Sequence, residues 1–410
     1  MPNSGRFLKV LWPLLDQGIV SLGSFIVNIF LARQLVPTEY GTFALLWGGL
    51  LGLQAINSSL FFYPLSIRLV VADVEDRHRL LSDSVILVTA TCLLQCILLT
   101  MIFLAFGRGD ILLPALAWFI LWQLQEAMRR GLFAEFRHKT AIVGDTVSYF
   151  GQVAIIGLIA AHHSANLINV FYSMAATSGL AALIQAYQLS LKFRGPRDLR
   201  QTAFDFWSIG RWALVNNLLS QLNFQVILWE LAAILGVAVA GSFQATQNVV
   251  NLVNPIIIGL CNVIPQMAAQ MLIHGNAHAW RSVRLYALLG MLPTFTYYAA
   301  ALIAPEIILH LFYGAGSPYL ALSSATRLLV IAAVAGYGAE MACSFLYGVN
   351  AARLALIINA LGTGTVILLA VPLTAAFGLN GTFLSLIIAN AVRLVASQRI
   401  ITRMKTDESQ

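Results

Sequence analysis

Two neighbouring stretches of this chain concentrate amide side chains inside an otherwise apolar setting. The first, "NNLLSQLNFQVILWE" (216–230), packs five amides, a serine and a glutamate among Leu, Val, Ile and Trp. At 100° per residue Asn216, Ser220, Asn223 and Glu230 form one stripe, and Asn217, Gln221 and Gln225 form a second beside it. In the next stretch Gln244, Gln247, Asn248, Asn251, Asn254, Asn262 and Gln266 fall within about a third of the helical circumference. Pro255 sits in the middle of that run, where it removes a backbone hydrogen bond and predicts a kink.

Amides of this kind suit sugar hydroxyls. In hydrocarbon an unpaired amide costs several kcal/mol, so such faces must look into protein or water. One or two amides per helix serve as interhelical glue, each contact worth about 0.6 kcal/mol. Two long stripes on consecutive helices instead predict a hydrated internal cavity, with Asn217, Gln221, Gln247, Asn251 and Asn254 as lining candidates.

Ionisable residues inside apolar runs are functional candidates by default. Asp16, Glu126, Asp145, Arg211 and Glu340 are expected towards one side of their runs, Glu230 and Arg327 towards the other. Arg211 would supply charge and bidentate donors to a phosphate. Asp16, Glu126, Asp145, Glu230 and Glu340 are the candidates for gating or for coupling to H⁺ or Na⁺. No catalytic residue, metal-ligand set or cofactor motif is expected; DxD and HExxH are absent from the sequence.

The elements that must position these groups follow from composition. Of 410 residues 59% are hydrophobic and 10% charged, against roughly 25% charge in soluble domains. The chain therefore reads as an all-α integral membrane protein. Apolar runs of about 20 residues predict twelve spans, near 11–32, 42–66, 82–106, 112–130, 141–161, 166–191, 206–230, 236–262, 285–312, 319–347, 353–375 and 380–402. No small-residue cleavage site follows the first run, so it is expected to be retained as a span.

The formal net charge of +7 resembles a nucleic-acid signal only until positions are read. Arg6, Lys9, Arg68, Arg77, Arg79, Arg129, Arg130, Arg137, Lys139, Lys192, Arg194, Arg197, Arg200, Arg281, Arg284, Arg353, Arg399, Arg403 and Lys405 occupy alternate connections. The opposite connections hold only Arg33 and Arg108. Positive-inside bias then predicts that both termini are cytoplasmic.

The chain also repeats itself. Gly41 and Phe43 match Gly241 and Phe243 at an offset of 200, and Pro64 matches Pro265 at 201. At a constant offset of 214, "QEAMRRGLFAEFRHKTAIVGD" (125–145) lies over "AEMACSFLYGVNAARLALIIN" (339–359), pairing Glu126 with Glu340 and Asp145 with Asn359. Six spans are an even number, so the halves are expected to be parallel repeats about an axis along the membrane normal. The expected organisation is a lobe at 1–191, a basic cytoplasmic linker at 192–205 and a second lobe at 206–410.

"LLDQGIVSLGSFIVNIFLARQLVPTEYGTFAL" (14–45) closely resembles the opening of bacterial polysaccharide-transporter proteins. These are the lipid-linked oligosaccharide (O-antigen-type) flippases of the multidrug/oligosaccharidyl-lipid/polysaccharide (MOP) export superfamily. The resemblance is carried by Asp16-Gln17, Ser21, Phe25, Ala32-Arg33 and Glu39-Tyr40-Gly41, and by "FFYPLS" (61–66) with Pro64. It implies a V-shaped pair of six-helix bundles around a central cavity in the bacterial inner membrane. It further implies movement of an undecaprenyl-diphosphate-linked glycan to the outer leaflet by alternating access, in contact with membrane lipids and with polysaccharide assembly proteins. A cation-coupled multidrug exporter of the same superfamily is the nearest alternative. A membrane-embedded polymerase or glycosyltransferase is more remote, since such enzymes need a sizeable catalytic loop or a metal-binding acidic motif.

Overall fold

The computed structural model describes residues 4–162, 165–190 and 199–407. Lys192, Arg194 and Arg197 of the basic linker lie outside the described residues. The described residues form α-helices joined by short turns, with no strand among them.

The helices are α1 (Ser4–Gln34), α2 (Pro37–Asn57), α3 (Tyr63–Val71), α4 (Val74–Ala105), α5 (Leu112–Ala134), α6 (His138–Ala161), α7 (Leu167–Gln188) and α8 (Leu199–Leu235). There follow α9 (Val237–Val250), α10 (Asn254–Met271), α11 (Asn276–Ile303), α12 (Pro305–Tyr313), α13 (Ser323–Gly348), α14 (Ala352–Phe377) and α15 (Leu379–Asp407). Among the described residues 11 helical segments are long and apolar enough to cross a membrane, which makes this a multi-pass membrane protein. The seventh expected span, 206–230, lies within the 37-residue helix α8, whose apolar end Gln225–Leu235 is shorter than a full span. The side chains of Asn216, Ser220 and Asn223 are outside those described.

Two spans are interrupted, and both are the second of their half. In the segment Pro37–Leu69 a π-helical turn at Ser58–Phe62 separates α2 from α3. In Val237–His274 a 3₁₀ turn at Asn251–Val253 separates α9 from α10, whose first turn carries Pro255. The ring of Pro255 cannot accept the preceding helical ladder, so the chain restarts its helix there.

The chain divides into two compact units, one of Met1–Leu35 with Leu45–Gln225 and the other of Val36–Ala44 with Val226–Gln410. The first turns of α2 thus belong to the second unit, and α8 up to Gln225 belongs to the first. In the first unit α5 packs on α7, α6 on α7 and α4 on α5; in the second α13 packs on α15, α14 on α15 and α11 on α13. The same neighbours recur in the same order, as the sequence offsets require.

Each unit has its own core. In the first, Trp47, Trp118 and Trp122 stack with ring centroids 5.2 and 5.3 Å apart for successive pairs. Beside them Asn57 donates to Gln95 Oε1 (3.1 Å) and Gln123 Oε1 (3.0 Å) and accepts from Gln95 Nε2 (3.2 Å). This buried amide triad is interhelical glue of the ordinary kind. In the second unit, Gly41 and Gly241 face one another where α2 meets α9. A Cβ on Gly41 would stand 1.9 Å from the Val237 carbonyl oxygen, and one on Gly241 would stand 2.9 Å from that of Pro37. Only glycine permits backbones this close.

Candidate functional site

Helices α1, α5 and α6 bring Asp16, Glu126 and Asp145 together around one guanidinium. Arg129 donates from Nη2 to Asp16 Oδ2 (2.5 Å), from Nε to Asp145 Oδ2 (2.8 Å) and from Nη1 to Glu126 Oε2 (3.2 Å). Gln125 and Gln185 each donate to Asp145 Oδ1, at 3.2 and 3.1 Å, and Arg130 donates to Glu126 Oε1 at 2.8 Å. Phe133 covers the Arg129 guanidinium, with its ring centroid 4.8 Å away. Asp16, Glu126, Arg129 and Asp145 are all buried, and Asp16 Oδ1 meets hydrogen-bond geometry with no donor among the described residues.

Such a network must be complete to be stable, because removing one partner strands a buried charge. Arg129 was not among the candidates read from sequence. Its position near a helix end reads as an interfacial cation, and the one local signal was Glu126 three residues before it on the same helical face.

The second unit carries the counterpart. Glu340 on α13 accepts from Arg393 Nη2 at 2.6 Å, Asn359 on α14 accepts from the same nitrogen at 2.8 Å, and Asn390 accepts from Nη1 at 3.1 Å. Glu340 and Asn359 occupy the positions that the offset of 214 pairs with Glu126 and Asp145. The arginine does not. Adding 214 to 129 gives Cys343, and subtracting 214 from 393 gives Gly179. Arg393 reaches the cluster across Gly362, where a Cβ would stand 2.4 Å from its Cδ; 362 − 214 gives Ser148. The guanidinium therefore enters equivalent sites from different helices, and the residue in its path is glycine only where it is needed.

The two sites differ in access. The Glu340 side chain is 44% exposed, whereas that of Glu126 is 7% exposed. Glu340 also lines a cavity of about 460 Å³ with Asn251, Asn254, Cys261, Tyr298 and Tyr337.

The amide stripe of α9 and α10 lies on the outer side of the second unit's core. Gln244, Gln247, Asn248, Asn251 and Asn254 are half-buried and Asn262 and Gln266 exposed, while Phe243, Ala245, Val249, Val250 and Val253 are buried opposite them. The amides partly satisfy one another. Gln244 donates to Asn248 (2.9 Å), Asn248 to the Tyr40 hydroxyl (2.7 Å) and Asn251 to Gln247 (2.5 Å).

Of the remaining candidates, Arg211, Asn217 and Gln221 belong to the first unit. Arg211 is exposed, its guanidinium 5.7 Å from the Trp212 ring centroid. Asn217 donates to Ser59 Oγ in the π-helical turn at 2.8 Å. Gln221 is half-buried. Arg327, near Glu306, pairs with it at 3.2 Å. Glu230, at the end of α8, lies beside Thr374, whose hydroxyl is 2.8 Å from that of Thr382. Neither buried Glu230 carboxylate oxygen meets hydrogen-bond geometry with any described residue.

Comparison with solved structures places this architecture. An inward-facing multidrug resistance MATE family transporter of the MOP superfamily superposes with a TM-score of 0.78 at 15% identity, covering 94% of this chain and 96% of its own. The chain has the MOP transporter fold. The same fold is seen in a MOP superfamily transporter from Pyrococcus furiosus, at a TM-score of 0.65 and 14% identity over 96% of this chain and 95% of that one. The lipid II flippase MurJ matches at 0.73 and 12% identity, over 96% of this chain and 87% of its own. These MOP-fold neighbours are transporters and a flippase, not enzymes. No family model and no curated protein sequence matches the chain.

Proposed function

We propose that this protein is a flippase that moves an undecaprenyl-diphosphate-linked oligosaccharide repeat unit from the cytoplasmic to the outer leaflet of the bacterial inner membrane, by alternating access. The observation that carries the reading is the amide stripe of α9 and α10, which runs across the break in its span at Asn251–Val253. Interrupted spans in corresponding positions of two repeats mark substrate sites in transporters, and here both interruptions fall in the second span of each half. Half-buried amides bonded to one another, as Asn251 and Gln247 are, can exchange those bonds for sugar hydroxyls at little net cost. Arg211 supports the reading as an exposed cation for the diphosphate, and its planar fork suits phosphate oxygens. Glu230, a half-buried carboxylate beside the Thr374 hydroxyl, is the residue we assign to coupling with H⁺ or Na⁺. Asp16, Glu126 and Asp145 already share Arg129 and fit a structural or gating role better than ion exchange. Docking of polysaccharide assembly proteins on the basic connections belongs to the same reading.

A multidrug exporter is the second reading, favoured by the cavity in which Glu340 meets Tyr298 and Tyr337. A carboxylate among aromatic rings suits an organic cation. The two are separated by replacing Gln247 and Asn251 together with Leu. Leucine is cheap in a membrane, so abundance and melting temperature should hold. The flippase reading expects lipid-linked intermediates to accumulate on the cytoplasmic leaflet and glycan export to fall at least tenfold. Full export at normal abundance would show that these amides are not the path, and drug sensitivity without lipid-intermediate accumulation would favour the exporter.

A further inference from the structure

The second unit carries a groove that neither the amide stripe nor the ionisable clusters use. It runs between α11, α13 and α15, has a volume of about 420 Å³, and is lined by Trp280, Arg284, Leu288, Met291, Val334 and Gln398 among others. Its two ends differ in chemistry. Leu288, Met291, Phe295 and Val334 line one end, and Arg284, Ser397, Gln398 and Thr402 the other.

The rim shows what surrounds it. Leu285, Leu288, Leu289 and Leu292 make the adjoining face of α11 apolar and exposed, the opposite of the amide stripe on α10. In a membrane protein such a face meets lipid chains. Arg284 is exposed on that face and has no acidic partner among the described residues. Arg281, Arg399 and Arg403, all exposed, gather at the same end. An arginine beside such an apolar face is placed to meet a lipid phosphate at the interface, and an indole such as Trp280 belongs at headgroup depth.

We propose that this groove is a binding site for one anionic phospholipid, with an acyl chain along Leu288, Met291 and Val334 and the phosphodiester on Arg284. The headgroup oxygens meet the guanidinium and the Gln398 amide, while the chain fills space that would otherwise be a void against α13. The groove is lined by none of the residues assigned above to transport, so the proposal does not depend on which substrate the protein moves.

Native mass spectrometry of the full chain in detergent, titrated with phosphatidylglycerol and phosphatidylcholine, tests this. Phosphatidylglycerol should bind the wild type more tightly than phosphatidylcholine. Arg284→Gln should weaken phosphatidylglycerol about fivefold, the worth of one arginine near a membrane surface, and leave phosphatidylcholine unchanged. Arg281→Gln, outside the groove, should weaken phosphatidylglycerol less than Arg284→Gln does and leave phosphatidylcholine unchanged. Ala287→Trp, which fills the groove, should weaken both lipids; Val334→Trp replaces it if the melting temperature shows that variant unfolded. Equal binding of the two lipids by the wild type would overturn the proposal. So would equal losses from Arg281→Gln and Arg284→Gln, wild-type binding by the filled variant, or displacement of the lipid by glycerol phosphate alone.

Discussion

Arg129 is the residue on which the first unit's polar interior depends. Three carboxylates converge on its fork, one on each nitrogen, and a lysine, whose three N–H bonds radiate from a single nitrogen, does not span that arrangement. Removing one partner of a buried ionic network costs about 3–5 kcal/mol, so Arg129→Cys should lower the denaturation midpoint steeply, and Arg129→Lys should recover only part of it. The repeat offers a sharper test. Arg393 reaches the equivalent cluster from α15 across Gly362, so Arg129→Cys with Ser148→Gly and Gly179→Arg rebuilds the second unit's arrangement inside the first. A Cβ added at 179 has only the flexible end of Leu121 near it, at 3.3 Å. The triple variant should melt above Arg129→Cys alone; an equal or lower midpoint would show that the two clusters are not equivalent. At this scale the sequence was half legible. Asp16, Glu126, Asp145 and Glu340 stood out as charges within apolar runs, but their shared partners did not. Which helix delivers a guanidinium is decided by the approach of α1 and α6 to α5, and no local spacing encodes that.

At the scale of elements, periodicity was the legible signal. The stripe from Gln244 to Gln266 appeared at 100° per residue, and the structure places its members half-buried or exposed with apolar residues buried opposite. The break near Pro255 was legible because proline cannot continue the ladder. The π-helical turn at Ser58–Phe62 was not, since nothing in "SSLFF" forbids an ordinary helix; Pro64 follows it inside the next helix. The matched glycines were visible as a repeat, but their mutual contact was not. That contact yields a direct expectation. Gly41→Ala places a methyl 1.9 Å from a carbonyl oxygen, which no side-chain rotation relieves, so α2 and α9 must separate. Overpacking of this kind costs about 1–3 kcal/mol. Gly18→Ala, where nothing lies within 4 Å, is the control and should leave the midpoint unchanged. Equal behaviour of the two variants would show that the close approach does not contribute to stability.

For the whole molecule, hydropathy made the class legible, because a bilayer leaves helices few alternatives; of the twelve expected spans, 11 segments among the described residues are long and apolar enough, and the seventh falls short at Gln225–Leu235. The compact units were less so. Residues 36–44 and 199–225 pack with the opposite half of the chain, a consequence of tertiary contacts such as Arg68 with Asp205 and Asn217 with Ser59. Orientation rests on charge. Basic residues crowd alternate connections, and the translocation of short loops is biased against them, so the α3–α4 and α5–α6 connections should face the cytoplasm. In a variant lacking the four native cysteines, single cysteines at Asp76 and Lys139 should then be shielded from an impermeant thiol reagent in intact cells and react only after permeabilisation. Single cysteines at Gly109 and Ala315, in the α4–α5 and α12–α13 connections, should react in intact cells. Asp76, Lys139, Gly109 and Ala315 are all exposed, so protection from the reagent reports the membrane rather than burial in the protein. Labelling of Asp76→Cys and Lys139→Cys from outside would invert the orientation, and with it the direction in which Arg211 would receive a diphosphate.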